Sequence, residues 1–402
     1  MRKFKYLILG AGPSGLSFAH RLLQENETSF LIIEKEPEPG GLCRSRIVDG
    51  FPLDIGGGHF LDIKNRKVLD FMFRFLPESE WKEFKRVSKI NLHDMSIDYP
   101  FEAHLWQLPI DLQIDYLESV AKAGCINNQC IPDNFSSWIN WKLGNYIAEN
   151  YMLPYNRKIW STDLSLMGTY WLDKLPDVSF RETLRSCLLL QTTGSIPAHA
   201  TFLYPKNYGY GEVWRRMGSQ LGEHLITGYL VDKLDISNRV VNDKYKADFI
   251  INTVPWTSIK NISDLPEFMA KSISSLQHTS ISVDYYRGNI NSDAHWIYDP
   301  NEDNDYHRIL CRHNFIENSN GHWKETNSKR LMVKSEWRYD NDFAYPLNLK
   351  QKPEAINSIL AWAKESQVYG LGRWGEWEHM NSDIAVAKGI ALADMFLQNR
   401  TY

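Results

Sequence analysis

The chain has 402 residues, more than one hydrophobic core usually serves, so it reads as two or three domains or one domain with large insertions. Hydrophobic residues make up 43% and charged residues 23%, near globular averages, and no apolar run approaches the roughly eighteen residues of a membrane span. A formal charge of −4 excludes a basic nucleic-acid footprint, and the 12 histidines show no HExxH or paired His/Cys spacing, so no metal site is expected.

The opening MRKFKYLILGAG runs straight into an apolar strand without the longer apolar core and cleavage site of a secretory signal, and a cytoplasmic protein is expected. KYLILGAGPSGLSFAHRLLQENETSFLIIEKE reads as strand, tight glycine turn, helix, strand. Gly10, Gly12 and Gly15 form GxGxxG: the first permits the turn, the second lets the backbone approach a pyrophosphate, and the third lets the helix pack on the strand. Pro13 and Ser14 open the helix whose N-terminus would face the phosphates. Glu34, followed by Lys35, closes the second strand about twenty residues on, where an acid meets ribose hydroxyls. Strand, glycines, helix, strand and acid in this order predict dinucleotide binding. EKEPEPGGLCRSRIVDGFPLDIGGGHF then carries Gly41, Leu42 and Arg44, and a second glycine run, with Gly57 and Gly58, ahead of His59.

Further along, WKEFKRVSKI reads as a solvated helix face rather than a binding patch. SIDYPFEAHLWQLP carries Tyr99 and Phe101, and NYMLPYNRKIW carries Tyr155, Asn156 and Trp160. AHATFLYPKNYGYGEVW follows, then GYLVDKLD with Val231 and ADFIINTVP with Thr253, which alternate strand and turn. SISVDYYRGN carries Arg287, YHRILCRHNF carries Arg308 and Asn314, and FAYPLNL carries Tyr345. YDPNEDNDYHR is acidic but lacks the glycine and terminal glutamate of a calcium loop and reads as a turn. The five cysteines, without CxxC spacing, read as structural thiols. Near the end, VYGLGRWGEWEHMNSD places Gly372 and Arg373 after a short strand, with His379 in the following tail. Asn381, Asp383 and Ile384 start the amphipathic helix DIAVAKGIALADMFLQN, whose N-terminus favours an electron-rich ligand group.

GGLCRS after the acidic strand resembles the extended FAD signature of amine-oxidase-like flavoproteins. YPF, PYNRKIW, ATFLYPK, a strand ending in RG, and GRWGEW in this order resemble UDP-galactopyranose mutase and its protoporphyrinogen-oxidase-like relatives over nearly the whole chain. The resemblance implies an α/β fold with a Rossmann-like FAD-binding domain of glutathione-reductase type, an inserted helical domain and an antiparallel-sheet substrate domain. It divides the chain into a discontinuous FAD domain (1–60, 205–265 and 365–402), a largely helical insertion (61–204) and a β-sheet domain (266–364). It implies FAD as cofactor and a nucleotide-diphosphate sugar as substrate. The reaction implied is pyranose/furanose ring isomerisation through a reduced-flavin N5 sugar adduct, for polysaccharide or surface-glycan assembly; a homo-oligomer is compatible with it. Tyr99 and Phe101 match an aromatic patch on uracil, Tyr155, Asn156 and Trp160 a uridine-contacting segment, and Arg287 a diphosphate-binding arginine. His59 matches a histidine beside the flavin, and Tyr345 a tyrosine near the phosphates.

Several positions depart from the pattern. Glu102 stands where the mutases have glutamine, Ser195 and His199 where paired asparagines are expected, and His379 where a tyrosine would face the phosphates. A second diphosphate arginine is replaced by Lys174 at best, without arginine's bidentate fork. The flavin signature is intact while the ligand edge is rewritten. A net FAD oxidoreductase of the amine-oxidase or protoporphyrinogen-oxidase type is the competing reading, but Arg287 and the YPF and PYNRKIW segments have no evident duty in it.

Overall fold

A computed structural model describes residues 1–172, 179–193, 200–332 and 335–398. The first strand, β1 (Arg2–Leu9), leads through a glycine turn into α1 (Pro13–Gln24) and then into β2 (Phe30–Ile33). β1 runs parallel both to β2 and to β3 (Tyr245–Asn252), so Leu9 sits level with Ile33 on one side and Asn252 on the other. The strand Val368–Gly370 pairs in parallel with β3. One sheet therefore draws on three distant stretches of chain, and eight strands belong to it among the described residues. The unbroken apolar runs Tyr6–Leu9 and Phe30–Ile33 are buried on both faces, as a covered parallel sheet requires.

Side chains alternate across this sheet. Tyr6 and Ile8 meet α1 and the last helix, α2 (Ser382–Gln398), through Phe18 and Phe396. Leu7 and Leu9 face the helices Glu267–Ser275 and Lys352–Glu365 through Met269, Ile273, Ile356 and Ile359. Those two helices thus belong to the covering of the dinucleotide sheet, although they lie within the 266–364 stretch expected to form a separate β-sheet domain. α1 and α2 touch closely because Gly389 has no side chain: a Cβ there would lie 2.1 Å from Ser17 Oγ.

The second sheet is built from β4 (His278–Tyr286), β5 (Trp296–Tyr298), β6 (Tyr306–Leu310), β7 (His322–Asn327) and β8 (Trp337–Pro346) in the order β8-β4-β7-β6-β5. All these neighbours are antiparallel. Two further strands, Ser88–Leu92 and Met95–Asp98, extend it beyond β5. The insertion 61–204 is accordingly less helical than expected, and WKEFKRVSKI is no helix face: it forms strands Trp81–Lys85 and Ser88–Leu92. The reason is period: Ser88, Ile90 and Leu92 are buried while Lys89 and Asn91 are not, a two-residue alternation. The helices of this stretch, including Phe135–Ile147 and Leu153–Trp160, close over their own core of Phe101, Tyr116, Ile139 and Tyr151. Among the described residues no helix is long and apolar enough to cross a membrane.

Candidate functional site: a dinucleotide cleft continued by an aromatic arginine cluster

The cleft begins at the glycine turn. Gly10 has φ +100°, and a Cβ there would lie 2.4 Å from Thr253 Oγ1, whose hydroxyl donates to the Leu9 carbonyl at 2.7 Å. At Gly15 a Cβ would meet the Gly10 carbonyl oxygen at 2.2 Å, so helix and turn can pack only through glycine. At Gly12 nothing lies within 4 Å, and that face opens into the cleft. α1 starts there with no side-chain cap and no acid in its first turn, leaving free amides beside an open space.

Glu34 is fixed by two backbone amides, Oε2 accepting from Ala11 at 2.7 Å and Oε1 from Glu36 at 2.9 Å. Burial pushes its carboxyl pKa up against those hydrogen bonds. Arg44 donates to the Gly41 carbonyl (2.9 Å), to Glu36 (3.0 Å) and to the Tyr339 hydroxyl (3.0 Å), tying the GGLCRS turn to β8. Glu34, Lys35 and Val231 line one end of the cleft, Pro13, Ser14, Gly41, Leu42 and Arg44 its middle, and His59, Arg373 and Asn381 the other end. Thr253 lines it beside Gly10.

Other expected cofactor residues stand behind this surface. Gly372, at φ +76°, packs where a Cβ would strike Ser14 Oγ at 2.2 Å. Gly57 and Gly58 abut Glu325 and Leu310, Asp383 lies in the first turn of α2, and Ile384 is 38% exposed. None of these lines the cleft.

His59 joins the cleft to a second cluster. Its Nδ1 lies 2.9 Å from the Gly57 carbonyl, and burial, helped by Arg373 and Arg308, lowers its pKa to about 3. The ring is therefore neutral near pH 7, with Nδ1–H donating and Nε2 bare as an acceptor. Arg373 donates to the carbonyls of Ala344 (3.0 Å) and Met380 (2.7 Å) and lies 5.4 Å over Tyr345, so it clamps the start of the α2 loop. Tyr345 also contacts His379 (4.9 Å) and Trp160 (6.1 Å).

Across β6 and β7, Arg308 is paired with Glu325: its Nε and Nη2 donate to Oε2 at 2.9 and 2.5 Å. Burial alone would lower the Arg308 pKa, but the Glu325 carboxylate and the Tyr345 and Tyr155 phenols outweigh it and the net shift is upward. Tyr298 packs against both Tyr99 (5.3 Å) and Tyr155 (5.5 Å), and Arg86 stacks over Tyr99 at 4.4 Å while donating to the Tyr298 hydroxyl. His379, Tyr345, Arg308, Tyr155, Tyr298, Tyr99 and Arg86 are thus linked by successive contacts into one polar-aromatic cluster.

Several expected ligand residues are placed elsewhere. Arg287 follows the end of β4, with its side chain 70% exposed and 3.6 Å from Asp49 and 3.8 Å from Glu336; the cluster's central guanidinium is Arg308 instead. Phe101 is fully buried against Tyr116 and Tyr151 and presents no face to a ligand. Asn156 spends both ends of its amide on its own helix, accepting from Trp160 Nε1 at 2.9 Å and donating to the Met152 carbonyl at 2.8 Å. Trp160 is 4% exposed and packs on Trp171. Glu102 has its pKa raised by burial, which lowers the electrostatic cost of a carboxyl on this side. Lys174, Ser195 and His199 lie outside the described residues. Sequence reading assigns Glu325, Tyr298 and Arg86 no role, and no apolar pattern marks Glu325, since HWKETN is polar along nearly its whole length yet buried.

Comparison with known proteins agrees with this architecture. A family model described as an NAD(P)-binding Rossmann-like domain matches residues 8–75. UDP-galactopyranose mutase of Mycoplasma pneumoniae is 30% identical over 101 residues, which is 25% of this chain and 25% of the mutase. A protein of the nifH2 3' region of Methanothermococcus thermolithotrophicus is 44% identical over 77 residues, 18% of this chain and 72% of that one. The crystal structure of a reduced UDP-galactopyranose mutase superposes with a TM-score of 0.90 at 22% identity, covering 100% of this chain and 95% of the other. A protoporphyrinogen oxidase structure from Exiguobacterium follows at 0.71 and 12% identity, covering 99% and 100%. Fold and cleft define a Rossmann-type dinucleotide-binding α/β protein. More narrowly, the fold is the one seen in the UDP-galactopyranose mutase structure, while the chain spans about a quarter of the Mycoplasma mutase it matches in sequence.

Proposed function

We propose that the chain binds FAD and acts as an isomerase of the UDP-galactopyranose mutase type on a nucleoside-diphosphate sugar. The observation that carries this reading is Arg308, held by Glu325 among Tyr155, Tyr298 and Tyr345 and near enough to His59, at the end of the dinucleotide cleft, to help depress its pKa.

The residues present fit FAD. The open face of Gly12, the uncapped start of α1 and the fixed Glu34 suit an adenosine diphosphate. The cleft continues past Arg44 to the start of α2, as the longer flavin half requires. When bound, a reduced flavin would supply a nucleophilic ring nitrogen that no side chain here replaces. The chain's own task is to receive the diphosphate and orient the sugar. Glu325 occupies the Nε edge of Arg308, which leaves Nη1 for a phosphate oxygen. Tyr345 and Tyr155, their pKa values raised chiefly by burial, stay protonated and can donate to the same anion. Tyr99 offers a planar surface for the base, with Arg86 behind it. Neutral His59, its pKa held low by burial, presents Nε2 as a hydrogen-bond acceptor rather than as a base.

The test is an anaerobic titration of the yellow protein, oxidised and dithionite-reduced, with UDP, TDP and UDP-galactose, following flavin and tryptophan fluorescence. Saturable binding of one nucleotide supports the reading. Absence of binding in both states sinks it and directs attention to amine oxidation with oxygen consumption as the assay.

A further inference from the structure

Lys158 is fully buried on the helix Leu153–Trp160, and its ammonium reaches into the acidic turn that follows β5. Nζ donates to the Asp299 carbonyl at 2.9 Å, to Asp299 Oδ1 at 3.1 Å and to the Asn301 carbonyl at 2.6 Å. Three protons meet three acceptors, a set that suits only the charged form, although burial lowers the Lys158 pKa against the pull of Asp299. Asp299 is buried too: Oδ1 also accepts the Asn301 N–H at 2.9 Å, and Oδ2 accepts from the Asn304 amide at 3.1 Å. Its own N–H donates to the His307 carbonyl at 3.0 Å. The turn is thus closed around a cation supplied from 141 residues away in the chain.

A buried ion pair is a costly way to hold two elements together, since apolar side chains of similar volume do so at least as firmly. What its three bonds add is direction. Tyr298 ends β5 immediately before Asp299, and its register partner across the hairpin is Arg308. Tyr155 precedes Lys158 by one turn of the same helix and meets Tyr298 edge-on at 5.5 Å. A second charged link between helix and turn, Arg157 with Glu302 at 3.6 Å, is half exposed and contributes little. We infer that Lys158 is a positioning residue: by fixing the Asp299–Asn301 turn against the helix Leu153–Trp160, it sets Tyr298 and Arg308 at the spacing from Tyr155 that a diphosphate requires. This rests on the proposed reading, in which Arg308 takes the anion. Lys158 acts only through the turn, because its three donors are already occupied.

The experiment compares UDP affinity, flavin content and denaturant unfolding in the flavin-loaded native chain, in Lys158→Met/Asp299→Asn, in Arg308→Ala and in the variant carrying all three changes. Removing both charges together avoids leaving a carboxylate buried and unpaired. The paired variant should keep its flavin and unfold cooperatively, while UDP affinity falls about tenfold through misaligned charged hydrogen bonds. On that background Arg308→Ala should weaken UDP only about tenfold further, against about 100-fold on the native chain, because a displaced guanidinium has less to lose. A purely structural role would lower the unfolding midpoint and leave the two losses additive. UDP affinity within about twofold of native in the folded paired variant, or full additivity with Arg308→Ala, overturns the inference. Should the paired variant not fold, Asp299→Asn keeps an oxygen for the ammonium but sets an NH₂ group against the Asn304 amide and loosens the turn. A fall of about threefold in UDP affinity is then expected, and an unchanged affinity overturns the inference. Native protein that binds no UDP, or Arg308→Ala that binds it as tightly as native, overturns the proposed function and the inference with it; the outcomes above, with native binding intact, overturn the inference alone.

Discussion

The two ends of the site are built in different ways. The dinucleotide end is made of backbone: Gly10, Gly12 and Gly15 shape a turn within six residues, and the amides of α1 and of Ala11 and Glu36 supply the polar groups. The ligand end is made of side chains from strands and loops far apart in sequence, with Arg86, Tyr99, Tyr298, Arg308 and Tyr345 meeting only in the folded protein. A backbone site tolerates few sequences and is therefore readable; a side-chain site depends on which face of each strand looks inward.

The largest effect should come from attacking the backbone end. Gly15→Val puts a branched side chain where a Cβ alone would come within 2.2 Å of the Gly10 carbonyl. Flavin should be absent from the purified variant, as read by visible absorbance. A yellow variant with native flavin content would mean that the turn is not where the phosphates bind.

That contrast also explains what the sequence disclosed. Strand, glycine turn, helix, strand and Glu34 were legible because each is a local pattern. The closing helix was legible by its period, and Gly389 within it turns out to be the point where it meets α1. Sequence reading gives Arg308 no role and, by resemblance, gives the diphosphate to Arg287. Both follow tyrosines on strands, and nothing in DYYRGN or DYHRIL states which side chain faces the core. The deciding fact is the register of β6 against β7, which sets Arg308 beside Glu325 with an irregularity at His307. Phe101 and Asn156 show the same limit of sequence pattern. An aromatic and an amide are suited equally to a ligand and to a helical core, and burial decided for the core.

Phe101→Ala sharpens this point. Removing a fully buried ring from the Tyr116–Tyr151 core should cost about 3–5 kcal/mol of stability, visible in denaturant unfolding. UDP affinity of the folded fraction should be little changed. Tyr99→Ala should do the reverse, weakening UDP binding about tenfold by loss of a stacking surface, with a smaller loss of stability. If Phe101→Ala alone weakened UDP binding, the aromatic platform would have been assigned to the wrong residue.

Arg308→Ala should reduce UDP affinity on the order of 100-fold, because it removes the ligand's cation and leaves Glu325 buried and unpaired. Arg308→Lys should recover only part, since an ammonium cannot occupy the carboxylate and a phosphate as a fork does. Flavin content should be retained in both, measured by the same absorbance that Gly15→Val abolishes. Loss of flavin with Arg308 would merge the two ends into one site and remove the contrast.

The smallest expected effect is the most discriminating. Arg287 pairs loosely with Asp49 and Glu336 at the surface, and exposed pairs of this length contribute little. Arg287→Ala should leave stability within about 0.5 kcal/mol and UDP affinity within about twofold. The family resemblance implies the diphosphate at this residue, whereas the proposed site gives it to Arg308, and the two variants together separate these assignments. A large loss with Arg287→Ala beside a small one with Arg308→Ala would require the ligand to bind across the β4 end, outside the cluster that opens from His59. The opposite pattern places the anion against β6, beside the Arg308–Glu325 pair.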